Sequence, residues 1–164
     1  MHRSRSRRFA GFSLIELVIV VVIIGVISAI AIPRMTRGVN NAGGISLKGS
    51  LAVLRSSIEL YRAEHEGRNP TLGTTPDIVE QLTKFSNVDG TVVSATPVSS
   101  TGVIYGPYLK AVPEIPVGTK KGLKAVGSGT GAGLAWDYNA TTGDIKAALV
   151  ATELDFEGIA FNTY

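Results

Sequence analysis

Thirteen carboxylates, two imidazoles and no thiol are the chemically versatile side chains among the 164 residues. Without cysteine there is no disulfide, zinc–thiolate site or thiol nucleophile. His2 lies in an Arg-rich N-terminal tract and His65 at a charged helix end. Neither has a second imidazole or a carboxylate constellation beside it, so metal catalysis and a Ser-His-Asp arrangement have no support. The glycine-rich stretch GSGTGAG, residues 127 to 133, lacks the Gly-Lys-Ser/Thr ending of a phosphate loop. The reading is therefore a non-enzyme. Two placements of carboxylates remain to be explained. Glu153, Asp155 and Glu157 alternate as oxygen ligands of a hard cation can, and equally as a solvated acidic edge around Leu154, Phe156 and Ile159. Glu16 stands alone in Phe12–Ile32, a run of 21 residues with no other charge.

The run itself dictates what could position Glu16. As a helix it rises about 31 Å at 1.5 Å per residue, the thickness of a bilayer core. Val18 to Ile24 are all β-branched, moderate helix formers in water. In lipid the backbone must satisfy its own hydrogen bonds, so a helix is expected. Arg3, Arg5, Arg7 and Arg8 precede the run, against Arg34 and Arg37 after it. This bias keeps the N-terminus in the cytoplasm and carries the rest across. The same four arginines account for the formal charge of +3; the remainder holds 12 basic and 13 acidic residues, so no nucleic-acid partner is expected. An ordinary signal anchor, or a secretory signal peptide cleaved after Ala31 within the small-x-small "AIA", would also explain the run. Neither requires Glu16, and an intramembrane carboxylate is costly enough to imply a function and a partner.

The residues GFSLIEL, 11 to 17, followed by the apolar run, resemble the processing and assembly signal of type IV prepilins and pseudopilins. That family has a short basic leader ending in Gly, then Phe, then Glu as the fifth mature residue; Gly11, Phe12 and Glu16 match. Gly25 and Pro33 match a Gly and a Pro of the family's N-terminal helix, where they are read as permitting a bend. The resemblance implies cleavage between Gly11 and Phe12 by a prepilin peptidase and N-methylation of Phe12. Cleavage exposes a cationic amine at a helix N-terminus. Within a filament, Glu16 of one subunit could pair with the Phe12 amine of a neighbour. In a low-dielectric core that pair would fix axial register, because a slipped subunit leaves a buried carboxylate alone.

Beyond the run, Gly38, Gly43, Gly44 and Gly49 weaken any helix. Leu47, Leu51, Leu54, Ile58 and Tyr61, spaced 4, 3, 4 and 3, form one face of an amphipathic helix that ends at Gly67. The segment IELYRAEHEGRNPT, 58 to 71, resembles the end of the stem helix in type II secretion major pseudopilins, with Asn69 in a usually aromatic position. A short helix is expected from about Pro76 to Phe85. A hairpin or irregular loop suits residues 86 to 103. The segment YGPYLKAVPEIPVG, 105 to 118, resembles a Gly-Pro-Tyr-Leu and paired-Pro element of the same pseudopilins. Two strands flank Asn139 to Gly143, and residues 120 to 126 can add another. Trp136 belongs to the sheet core.

The expected fold is α+β: a long N-terminal hydrophobic helix packed on a small antiparallel β-sheet head. The expected parts are a leader, 1–11; a transmembrane and polymerisation helix, 12–33; an amphipathic stem, 34–67; and a globular head, 68–164. The resemblance implies a single-pass inner-membrane subunit with a periplasmic head. Its partners would be prepilin peptidase, further (pseudo)pilins and secretion-platform proteins, in a type II secretion pseudopilus driving export. A type IV pilus subunit, for adhesion, motility or DNA uptake, is the first alternative. An exported soluble binding domain is the second. Major pseudopilins commonly bind calcium in the C-terminal loop; here that region offers Glu153, Asp155 and Glu157 as candidates, but the family's Asp-rich ligand loop is not evident, so no cofactor is expected.

Overall fold

The computed structural model describes residues 12–155 and 157–164, apart from the side chains of residues 32–41. Gly11, Phe156 and the side chain of Pro33 lie outside that set. The first element, α1, is a helix of 51 residues, Leu14–Glu64. It starts at Ser13, whose carbonyl accepts the Leu17 amide at 3.2 Å. It ends where Glu66 (φ 56°) and Gly67 (φ 80°) turn left-handed. The Gly67 amide then reaches back to the Arg62 carbonyl at 2.8 Å, the six-residue closure of a Schellman stop. Only Gly67 signals this stop in the sequence; Glu66 adopts positive φ at some cost.

The chain divides into two units between Val39 and Asn40. In the second unit α1 continues through Gly43, Gly44 and Gly49 despite their low helix propensity. Packing accounts for two of them. A Cβ on Gly43 would come within 2.5 Å of Val117, and one on Gly44 would touch Phe161 and Asp155. The head's loops close onto the helix where side chains are missing, and tertiary contact overrides propensity.

Helix α2, Ile78–Thr83, is capped by Asp77, whose side chain accepts the Glu80 amide at 3.1 Å. It is shorter than expected, because Phe85 leaves the helix to open strand β1, Phe85–Ser86. β1 pairs antiparallel with β2, Val93–Ser94. A second sheet has the order β3–β4–β5: Val126–Gly127, Trp136–Tyr138 and Ile145–Ala147. β4 and β5 are antiparallel, with Trp136 opposite Ala147 and Tyr138 opposite Ile145. β3 runs parallel to β4, so this second sheet is mixed, whereas the β1–β2 sheet is antiparallel. Parallel neighbours normally need a long crossover. Here the glycine-rich loop suffices, with Gly129 at φ 85° and Leu134 packed over Gly127.

One core unites the α1 stripe with α2 and the three-stranded sheet. Leu47, Leu51, Leu54, Ile58 and Tyr61 are buried among Ile78, Leu82, Ile115, Trp136, Tyr138, Ile145 and Leu149. Two polar tips inside it are satisfied: Trp136 Nε1 donates to the Pro113 carbonyl, and the Tyr138 hydroxyl to that of Pro70. The head is thus an α+β layout in which a sheet covers one stripe of a helix.

Candidate functional site

Phe12 and Ser13 lead into α1, and Glu16 lies in its first turn. The Ser13 amide donates to Glu16 Oε2 at 2.9 Å. Ser-Leu-Ile-Glu has the spacing of a capping box, in which the third helical residue's carboxylate satisfies the amide of the capping residue. Glu16 therefore already has a local duty before any partner arrives. Its carboxylate can accept from more than one donor, so the cap does not exclude a neighbour's amine. The Ser-x-x-Glu spacing was the signal for this role, and reading Glu16 only as an intermolecular partner missed it.

Every residue from Phe12 to Ile27 is exposed. Leu14–Ala31 is the one stretch, among the described residues, long and apolar enough to cross a membrane. A Cβ on Gly25 would meet no described atom within 4 Å, so packing among the described residues does not require glycine there. From Ile45 to Leu60 the side of α1 turned away from the core is also uncharged, before exposed Glu64. It carries Ile45 (63% exposed), Val53 (52%) and Leu60 (51%), with Gly49, Ala52 and Ser56 exposed between them. Lys48, Arg55, Glu59, Arg62 and Glu66 sit on a separate flank at helical spacing. A helix facing only water would place its charges opposite the core.

The three acidic residues near the C-terminus are engaged differently from the cation cage considered for them. Glu153 Oε1 accepts the Thr119 amide at 2.6 Å and Oε2 that of Val150 at 3.2 Å. Burial pushes its pKa up, but these amides, the Thr119 hydroxyl and the charge of Lys120 outweigh it and hold the carboxyl below its ordinary 4.5. Asp155 Oδ1 accepts the Glu157 and Ile159 amides at 2.8 and 2.9 Å, and Oδ2 accepts the Tyr164 hydroxyl. The Tyr164 hydroxyl, helped by the two amides, holds Asp155 below 3.8 against a smaller effect of burial. That hydroxyl is in turn pushed up to about 12 by Asp155. Glu157 is exposed. Among the described residues no three His or carboxylate side chains converge as metal ligands. Glu153 and Asp155 spend these oxygens bracing loops.

The prokaryotic N-terminal methylation motif matches residues 6–32. Over 154 residues the chain is 29% identical to fimbrial protein Q of Moraxella bovis, covering 91% of this chain and 82% of that protein. It is 38% identical over 60 residues to the major component of the type IV narrow pilus of Thermus thermophilus, covering 37% of this chain and 52% of the relative. It is 29% identical over 59 residues to type II secretion system core protein G of Pseudomonas aeruginosa, covering 36% and 42%. The chain thus spans about half the length of these last two. No solved structure matches it. The chain is type IV pilin-like.

Two polar side chains of the pilin-like head have structural roles that the sequence did not reveal. His65, 0% exposed, stacks on Tyr61 with ring centroids 3.7 Å apart. Its Nδ1 lies 2.8 Å from the Tyr61 carbonyl and its Nε2 2.9 Å from Ser86 Oγ. Tyr105 and Tyr108 close around it. Extending the 4, 3, 4, 3 spacing four residues past Tyr61 lands on His65, so the stripe itself was the missed signal. Asn69, at the position where an aromatic is usual, uses its amide to hold the β4–β5 turn, donating to the Ala140 and Thr141 carbonyls at 3.2 and 3.1 Å.

Proposed function

We propose that this chain is a structural filament subunit that polymerises through α1 and performs no chemistry of its own. The observation that carries this reading is the apolar surface of Phe12–Ile27, exposed at every position among the described residues. Leaving so much apolar area in water is unfavourable by roughly 25 cal/mol per Å². The covering must therefore come from lipid before assembly and from other copies afterwards. Cleavage between Gly11 and Phe12, methylation of Phe12, and an inner-membrane precursor with its head in the periplasm complete the proposal. The motif over residues 6–32 supports it.

For the kind of filament we propose a type II secretion pseudopilus. Support comes from the Gly-Pro-Tyr-Leu and paired-Pro segment. It is built into the head through buried Leu109 and Ile115 and through the Pro113 carbonyl beneath Trp136. A surface type IV pilus is the second reading, favoured by the match along most of fimbrial protein Q.

The deciding measurement is the N-terminal residue and intact mass of the mature protein from its native host. An N-methylated Phe12 is the expected result. A chain beginning at Ile32 would remove the polymerisation helix and overturn the filament. Electron microscopy of the host then separates the two readings: filaments confined to the envelope mean a pseudopilus, and filaments extending beyond it a pilus.

A further inference from the structure

Lys120 is 9% exposed and directs its ammonium inward. Nζ donates to the Thr130 carbonyl at 2.9 Å, the Gly131 carbonyl at 2.8 Å and the Ala148 carbonyl at 2.5 Å. An ammonium has three donors, and all three are used. The carbonyls come from two segments apart in sequence, the glycine-rich loop and the residue that follows β5. Next to Lys120, the Thr119 amide is held by Glu153 Oε1 at 2.6 Å. At Gly118 (φ 75°) a Cβ would lie 2.6 Å from the same oxygen. Three converging backbone oxygens with a carboxylate alongside are the donor types a hard cation takes. The 2.5–2.9 Å distances suit an ammonium donor, and metal–oxygen bonds to calcium are shorter on average.

We propose that Lys120 is the resident cation of the head: its ammonium ties the 118–131 loop to the 148–153 segment, as an oxygen-liganded divalent ion would, and the fold needs no metal there. Glu153 supplies the counter-charge by bridging Thr119 and Val150. This inference does not rest on the filament reading, because it concerns the head of a single subunit.

The test is thermal unfolding of the full-length protein in detergent micelles, with calcium chloride or with EGTA. The wild type should melt within about 1 °C in both. Lys120→Ala and Lys120→Met both strand the three carbonyls and should melt lower by roughly 5–10 °C. Only Lys120→Ala leaves room for a surrogate, so n-propylammonium should raise its Tm and leave Lys120→Met and the wild type unchanged. A wild-type Tm lowered by EGTA, a variant melting with the wild type, or equal effects of propylammonium on all three proteins would overturn the proposal. If Lys120→Ala does not fold, its refolding yield in propylammonium against equal sodium chloride takes the place of the Tm. A higher yield supports the proposal and an equal yield overturns it.

Discussion

Leu14–Ala31 and Leu47–Tyr61 are both apolar stretches of α1, and they meet opposite fates. The first keeps its residues in the open from Phe12 to Ile27; the second has every member of its 4, 3, 4, 3 stripe buried. The difference lies in arrangement rather than in hydrophobicity. A stripe tells the helix which side to hide and so specifies a partner within the chain. A helix that is apolar all round specifies no side, and its surroundings must themselves be apolar. The uncharged outer face through Ile45, Val53 and Leu60 is intermediate. That stretch of helix has its own core and still turns a second apolar side outward.

The largest expected effect breaks the comparison at its outer end. Glu16→Ala should be processed at Gly11 like the wild type and keep a head of unchanged stability, yet form no filaments. The helix cap it loses is worth only about 1 kcal/mol. Normal filaments from this variant, counted by electron microscopy, would remove the register role and leave Glu16 as a cap.

Next in size is a matched pair of truncations. Ile58→Ala should cost about 2–5 kcal/mol of head stability, since Ile58 is buried on all sides and leaves a cavity. Ile23→Ala should change the stability of the monomer in micelles by no more than about 0.5 kcal/mol. Urea unfolding of the two variants measures both. A cost at Ile23 equal to that at Ile58 would mean that the N-terminal segment packs on its own head.

How much of this could be read from the residues follows the same division. Glu16 and the apolar run were legible because local rules govern them: charge, length and a fixed motif. The stripe from Leu47 to Tyr61 was legible because periodicity survives one intervening residue type after another. The parallel β3 was not legible. Its direction depends on how the glycine-rich loop turns the chain, with Gly129 at positive φ, and such geometry leaves no side-chain pattern. Lys120 and His65 escaped for a related reason. Each is a polar residue whose burial depends on carbonyls or hydroxyls supplied from far along the chain. Glu153 and Asp155 were visible as carboxylates, but an alternating acidic sequence does not show that amides will take their oxygens.

His65 offers the smallest effect and the sharpest probe of the inner end. Burial holds its pKa below the ordinary 6.5, against weaker opposing contributions from the Tyr61 carbonyl, Glu64 and Asn87. Arg68 pushes the same way as burial. The folded imidazole is therefore neutral, with Nδ1–H toward the Tyr61 carbonyl and Nε2 accepting the Ser86 hydroxyl. Above pH 6.5 neither the folded nor the unfolded chain binds this proton, and the stability is fully present. As pH falls below 6.5 the unfolded chain takes the proton first, so stability declines until the lower folded pKa is passed. The slope cannot exceed about 1.4 kcal/mol per pH unit for one group. Glu153 and Asp155 also lose stability on acidification, but only below their ordinary values of 4.5 and 3.8. Between pH 6.5 and 4.5 the decline thus belongs to His65. Urea unfolding at several pH values should show it in the wild type and a flat line in His65→Gln. A slope that survives the substitution would mean that another group titrates in the head, and that the stacked imidazole is structural at every pH.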